Sequence, residues 1–483
     1  MSKTDSLCPS LDDIFLKIGF GKFHVLIIII FGFIQFFTSA EIVSSAFLGP
    51  SLICNWEISL LESSIVTLSV FIGMICGSLF FGKLSDAYGR KTIIIICVYG
   101  ILFFGLLCSA SPTVHWVIML RFIIGIFIGG YTTMLVTFLA EIMPINYRGL
   151  ASLCVQTSWS LGSFYIALLT ILLVPKFGWK IWLICSILPI VIAIPLIIWL
   201  PESPRYLLLK NKTKEAINVM NIIATINNSE KISCVQTDAY KKPAYCDLFH
   251  KHYARTTIIT AFISFISGNN FYGFILSSSI INDIPHKCLQ NLNQTFNPSM
   301  FTKASLDNSC CFNQSWDTMQ TVFISITGEV GFFLLGILII KFMKRKLFLQ
   351  VLLVINAVVY VLLNLCLSSS NIGILMMFGR GAAAIMIGVN NLYVSEVFPT
   401  NNRSFSIGFT NGFTRLGAIF SSFIVDILMV NHSFTGCTIY YFTLNTIGFL
   451  FIFLLPFETK NRALLQSVDE NISELQLINN KKK

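Results

Sequence analysis

Apolar runs of similar length recur along the chain, each closed by a short polar stretch. VTLSVFIGMICGSLFF (66–81) and TIIIICVYGILFFGLL (92–107) are two of them, with GKLSDAYGRK between. Crossing a bilayer takes roughly 20 apolar residues in a helix. Twelve stretches meet that length: 23–48, 60–81, 92–111, 114–138, 150–174, 180–200, 256–281, 318–340, 347–367, 371–394, 405–429 and 438–456. A backbone in lipid must satisfy its own hydrogen bonds, so these stretches read as helices. One long polar segment, 201–255, divides six runs from six. Its KNKTKEAINVMN predicts a short amphipathic helix. The pattern predicts an all-α membrane protein with a cytosolic N-terminus (1–22) and a six-helix bundle (23–200). A cytosolic central loop (201–255), a second six-helix bundle (256–456) and a cytosolic tail (457–483) follow.

Composition supports this class. Of 483 residues, 55% are hydrophobic and 12% charged, with a mean hydropathy of +0.77. Soluble domains carry about 25% charged residues. There is no GxxxxGK[ST] segment for ATP, and no nucleophile–base or metal grouping stands out, so the sequence reads as a non-enzyme. No cofactor is expected, although coupling to a proton or another ion is compatible with the sequence. The net charge of +10 is dispersed between runs, which sets orientation and does not suggest a nucleic-acid partner. Lys83, Arg90, Lys91, Arg148, Lys344, Arg345, Lys346 and Arg403 fall on one side with both termini, and that side should be cytosolic. A monomer in a plasma or vesicle membrane is expected.

The opposite side holds Asn293, Asn313 and Asn431 in Asn-x-Ser/Thr sequons, candidate glycosylation sites. Cys54, Cys288, Cys310, Cys311 and Cys437 lie there too and could supply a disulfide of undetermined pairing. The sequons at Asn211, Asn227, Asn402 and Asn471 fall on the cytosolic side and read as chance matches.

Charged motifs sit at the span ends. Gly82 to Lys91 joins spans two and three; its glycines, Gly82 and Gly89, allow a tight turn. Span four begins Arg121-Phe-Ile-Ile-Gly125-Ile-Phe-Ile-Gly129-Gly130, whose small residues permit close helix approach. Glu141-Ile-Met-Pro144-Ile-Asn-Tyr-Arg148 closes it. The second half repeats the design with Arg380 and Glu396-Val-Phe-Pro399-Thr-Asn-Asn-Arg403. Two related halves predict a pseudo-two-fold axis along the membrane normal.

These motifs resemble those of the major facilitator superfamily, in its sugar-porter and organic-ion branches. Pro201-Glu-Ser-Pro-Arg205 and Pro456-Phe-Glu458-Thr-Lys460-Asn-Arg462 belong to the same resemblance. Within those branches the chain most resembles the synaptic vesicle 2-related proteins, through Gly19-Phe-Gly-Lys-Phe23, Cys54-Asn-Trp56, Phe177-Gly-Trp179, Phe271-Tyr-Gly273 and Glu396-Val-Phe-Pro-Thr400. The resemblance implies a cytosolic gating latch made by Gly82, Asp86, Gly89, Arg90, Arg121, Glu141, Arg148, Arg380, Glu396 and Arg403, joined by Glu202 and Arg205. The second-half loop, Lys341-Phe-Met-Lys344-Arg345-Lys346, lacks the family's acid and glycine. Charge pairing is therefore expected to rest on the first copy.

Ionisable residues deep in a span point to function. Glu41, Glu329 and Arg415 qualify, whereas Glu62 and Asp426 lie near span ends and read as solvated. The resemblance places spans one, four, seven and ten, with five, eight and eleven, around the substrate cavity. A carboxylate–guanidinium pair with one spare carboxylate is expected. The spare acid would bind an organic cation or carry a proton. Thr38 stands where the family has a second acid. Gln156, Trp159 and Tyr165, Asn269, Asn270 and Tyr272, and Asn390, Asn391 and Tyr393 are the other candidate lining residues. The leading expectation is a transporter of a small organic solute, such as an organic ion, working by alternating access. It would be secondary active or facilitative. The alternative is a vesicle-membrane binding or trafficking protein with little transport.

Overall fold

The computed structural model describes residues 8–9, 11–235, 253–280, 316–340, 342–365, 367–398, 400–425, 434–456 and 458–459. A short amphipathic helix, α1 (Leu11–Ile18), precedes α2 (Lys22–Trp56), α3 (Leu60–Tyr88), α4 (Arg90–Ser109), α5 (Val114–Ile142) and α6 (Arg148–Ile187). A 3₁₀ turn over Leu188–Ile192 leads to α7 (Ala193–Trp199); α8 (Pro204–Leu209) and α9 (Thr213–Ile226) follow. The later helices are α10 (Ala254–Ile280), α11 (Trp316–Ile339), α12 (Arg345–Leu362), α13 (Ser369–Val397), α14 (Thr400–Phe423) and α15 (Phe434–Phe453).

Ten described segments are long and apolar enough to cross a membrane. One of these, Arg148–Trp199, has 52 residues, enough for two crossings. It breaks at Gly178, whose φ of 75° lies in the left-handed region, where glycine alone pays no steric penalty. α14 has 24 residues, long enough to cross, but is not among these apolar segments. Its apolar face is interrupted by Ser406, Thr410, Asn411 and Thr414, all turned into the protein, so its average hydropathy is low.

The helix pairing repeats. In the first set α2 packs on α6, α3 on α5 and α4 on α6 and α7; in the second α10 packs on α14, α11 on α13 and α12 on α15. The sets join through α3 with α14 and through α6 with α11, a reciprocal exchange that fits a two-fold relation. The α3–α5 seam explains the small residues in span four. A Cβ on Gly125 or Gly129 would strike the backbone of Val70 or Met74, so the two helices meet backbone to backbone.

The first polar arm is ordered, which its sequence did not signal. Leu11, Ile14, Phe15 and Ile18 bury one face of α1. Asn227, at the end of α9, accepts from Phe23 N–H (3.0 Å) and donates to the Gly19 carbonyl (3.3 Å). Cys8 and Cys234 form a disulfide that fastens the arm to the chain beyond α9. No pairing on that side was anticipated. Of the cysteines proposed for the opposite side, Cys437 is buried. Cys288, Cys310, Cys311, Asn293, Asn313, Asn431 and Asp426 lie outside the described residues. The amphipathic helix expected within 210–221 is α9, which buries Ala216, Met220, Ile223 and Ala224.

Candidate transport site and its latches

At the end where α3 turns into α4, the positive φ of Gly89 (99°) lets the two helices meet without a linker. Arg90 then opens α4. Its Nη2 lies 3.3 Å from Glu141 Oε1 and its Nη1 donates to the Ser85 carbonyl (3.2 Å). Glu202 caps α4, accepting from Arg90 N–H (3.1 Å) and Lys91 N–H (3.2 Å), a favourable place for a negative charge. Lys91 Nζ donates to the Ile198 carbonyl (2.7 Å). Ser203 Oγ donates to the other oxygen of Glu141, and Tyr206 lies under the Arg90 guanidinium, 4.9 Å from ring centroid to Cζ. Burial raises the Glu202 carboxyl above its ordinary value, against the opposing pull of Ser203 and Lys91 N–H and of Arg90.

The second half carries the same constellation, contrary to the expectation of a degenerate copy. Arg345 Nη2 lies 3.4 Å from Glu396 Oε1 and Nη1 donates to the Ile340 carbonyl. Glu458 caps α12 by accepting from Arg345 N–H (2.7 Å) and Lys346 N–H (3.4 Å). Lys346 Nζ donates to the Leu455 carbonyl. Arg345, Lys346, Glu396 and Glu458 thus repeat Arg90, Lys91, Glu141 and Glu202, while the loop itself still lacks the family's acid and glycine. The side chains of Asp86 and Arg403 lie outside the described residues. Gly82 is buried in α3.

Asp12 is a member of the first latch that sequence reasoning missed. Its carboxylate holds both Arg148 (3.0 Å) and Arg205. Burial pushes this carboxyl up, but the Arg205 and Arg148 guanidiniums outweigh it and hold it below its ordinary value. A depressed carboxylate stabilises the fold above its unfolded pKa, and that contribution is lost as pH falls through the folded pKa. Hydrogen exchange over residues 11–18, corrected for its intrinsic slowing in acid, is therefore expected to accelerate below roughly pH 4. In Asp12→Asn it should be fast already at pH 7, and protection unchanged by this substitution would refute the clamp.

Arg121 and Arg380 do not belong to the latches. Arg121 stands 20 residues before Glu141 in α5, about 30 Å along the helix axis. It is fully buried against Glu41, with Nη1 2.9 Å from Oε1, and also donates to Ser44 Oγ (3.2 Å). Arg380 is its counterpart: Nε pairs with Glu329 and Nη1 donates to Ser325 Oγ (3.2 Å). The arginines come from matching positions, but their acids come from the first and the eighth span. Both carboxylates are thus already paired, and neither is the spare acid expected from the sequence. Thr38 turns back to the Ile34 carbonyl (2.8 Å).

Between the two helix sets lies a cavity with about 590 Å³ of free space, its open mouth included. Gln35 of α2, Thr132 of α5, Gln156 and Trp159 of α6, Phe271 and Tyr272 of α10, Phe333 of α11, Asn391 of α13 and Asn411 and Arg415 of α14 line it. Arg415 Nη1 donates to the Tyr272 hydroxyl (2.5 Å). Of the ten residues proposed for substrate, Gln156, Trp159, Tyr272 and Arg415 reach this cavity. Glu41, Asn269, Asn270, Glu329, Asn390 and Tyr393 are not among its walls. Asn269 bonds Tyr440 (3.0 Å), Asn270 and Asn445 bond each other (2.8 and 3.1 Å), and Asn390 bonds Ser264 (2.6 Å). Tyr165 donates to the Cys185 carbonyl (2.9 Å). Gln35 and Asn411 were missed because the sequence does not show which way an amide in a span faces.

The family described as "Sugar (and other) transporter" matches residues 26–469. The chain belongs to this transporter family. SVOPL of Mus musculus is 31% identical over 468 residues, covering 95% of this chain and 93% of that protein. Synaptic vesicle 2-related protein of Rattus norvegicus is 29% identical over 461 residues, 94% of this chain and 82% of that protein. Among solved structures, the major facilitator superfamily proton:xylose symporter XylE, bound to 6-bromo-6-deoxy-D-glucose, superposes with a TM-score of 0.64. It is 16% identical and the match covers 92% of this chain and 97% of that one. The family member described here is an integral, multi-pass membrane protein of the major facilitator fold.

Proposed function

We propose that this transporter-family protein moves a small organic solute by alternating access, with the latch end facing the cytosol. The observation that carries the reading is the position of the cavity. Its walls come from both helix sets, so rocking one set against the other exposes it to one side and then the other. At the latch end the sets are in contact: a Cβ on Gly149 would lie 3.2 Å from Leu392, and one on Gly408 3.2 Å from the Ser78 carbonyl. Lys and Arg concentrate on that end, in keeping with a cytosolic face. A vesicle-membrane binding or trafficking role with little transport is the alternative reading; the Arg345–Glu396 pair of the second latch favours transport.

Proton coupling is assigned to the buried pairs. A proton on Glu41 or Glu329 would dissolve its ion pair and release a guanidinium, which links protonation to helix rearrangement. XylE is by name a proton symporter, which supports the assignment. In proteoliposomes, solute uptake is expected to rise with an imposed pH gradient, and Glu41→Gln or Glu329→Gln should remove that rise. Gradient-driven uptake that persists in both variants would defeat the coupling assignment, and absence of any solute movement would defeat the transport reading.

A further inference from the structure

Resting on that transport reading, we propose that the cavity takes a small organic anion with a flat apolar body, held by Arg415 and Trp159. Arg415 is the one charged side chain among the described residues that line the cavity. The acids that could have balanced it are committed elsewhere: Glu41 to Arg121 and Glu329 to Arg380. It donates a hydrogen bond to the Tyr272 hydroxyl, which orients the guanidinium and brings no counter-charge. A guanidinium offers five donors in a planar fork that matches the oxygens of a carboxylate or sulfonate.

A second donor belongs to a residue of the same cavity wall. Trp159 is more than nine-tenths buried, lines the cavity, and its indole N–H has no hydrogen-bond partner. A buried donor left unmatched is costly, and an anion's oxygen would satisfy it. The adjoining walls are aromatic: Phe271 lies 6.5 Å from Trp159 and 5.2 Å from Tyr272, centroid to centroid. Such rings accept a flat apolar body edge-on or offset. An organic cation would meet the Arg415 charge with no acid among the described lining residues to offset it. A neutral sugar would leave that charge without a counter-ion.

The test uses the full-length protein and four probes of similar size: benzenesulfonate, phenyltrimethylammonium, benzyl alcohol and xylose. Benzenesulfonate is permanently charged and does not cross a bilayer unaided. It is expected to raise the melting temperature of the purified protein and to enter proteoliposomes, with the other three inert. Arg415→Gln should weaken benzenesulfonate binding by roughly tenfold to a hundredfold, with the unliganded melting temperature unchanged. Arg415→Lys should retain part of the affinity. Should Arg415→Gln fail to fold, Trp159→Phe keeps the ring, removes the N–H, and should cost roughly threefold to tenfold. Uptake of the cation, the alcohol or xylose in place of benzenesulfonate would overturn the anion site and leave transport standing. Arg415-dependent binding of benzenesulfonate without uptake would keep the anion site and overturn transport. No response to benzenesulfonate, or a response untouched by Arg415→Gln and Trp159→Phe, overturns the anion site.

Discussion

Arg380→Leu is expected to destabilise the protein by about 3–5 kcal/mol, because it strands the Glu329 carboxylate in the interior without a counter-charge. Arg380 is 1% exposed and Glu329 fully buried, so water cannot replace the lost partner. Replacing both members, Arg380→Leu with Glu329→Leu, should recover most of the loss, since a buried ion pair is often matched by apolar residues of similar volume. The same cycle is expected at Arg121 and Glu41. Chemical-denaturant midpoints of the purified variants read the effect. Additive losses in the double variant would mean that the two side chains do not act as a pair. The cycle also separates stability from transport: the double variants should fold but lose any response to a pH gradient.

Arg345→Ala is expected to impair transport about as much as Arg90→Ala, by roughly tenfold or more each, if each removes one charge-assisted contact of a latch. Arg90 holds Glu141 and opens the helix capped by Glu202; Arg345 holds Glu396 and opens the helix capped by Glu458. Initial uptake rates in proteoliposomes decide the matter. A near-normal rate for Arg345→Ala beside a crippled Arg90→Ala would place the burden on the first latch alone. Glu458→Gln sharpens the comparison with Glu202→Gln, because each acid accepts from the first two backbone N–H groups of its helix.

The helical plan was legible because lipid imposes a length and a hydropathy on every crossing, and those survive in the one-dimensional pattern. Even α14, too polar to pass a simple hydropathy threshold, stood out as a stretch of adequate length between polar ends. The first latch was legible where its residues share a short motif. Its remaining members were not. Asp12 lies 136 residues from Arg148, and nothing local distinguishes it from any acid in an N-terminal arm. Likewise Glu458 meets Arg345 across 113 residues, so the basic run at 344–346 gave no sign of the acid that caps its helix. The cavity failed for a related reason. Depth in a span can be read from hydropathy, but the direction a side chain faces cannot. Glu41 and Glu329 sit at cavity depth yet point to Arg121 and Arg380. Arg415, read as half of an ion pair, is instead the charge left facing the space.

Under the proposed alternating access, the two helix sets rock about the cavity, opening one end as they close the other. Spin labels at Lys83 and Lys344 report the latch end, and labels at Glu57 and Ser370 the opposite end. Distance distributions in lipid nanodiscs, recorded with and without an Arg90→Ala substitution, test the claim most directly. Opposite shifts are expected: the Lys83–Lys344 distance lengthens in the variant while the Glu57–Ser370 distance shortens. A latch-end distance that lengthens with no change at the other end, or a single fixed distance at both ends under all conditions, would contradict alternating access.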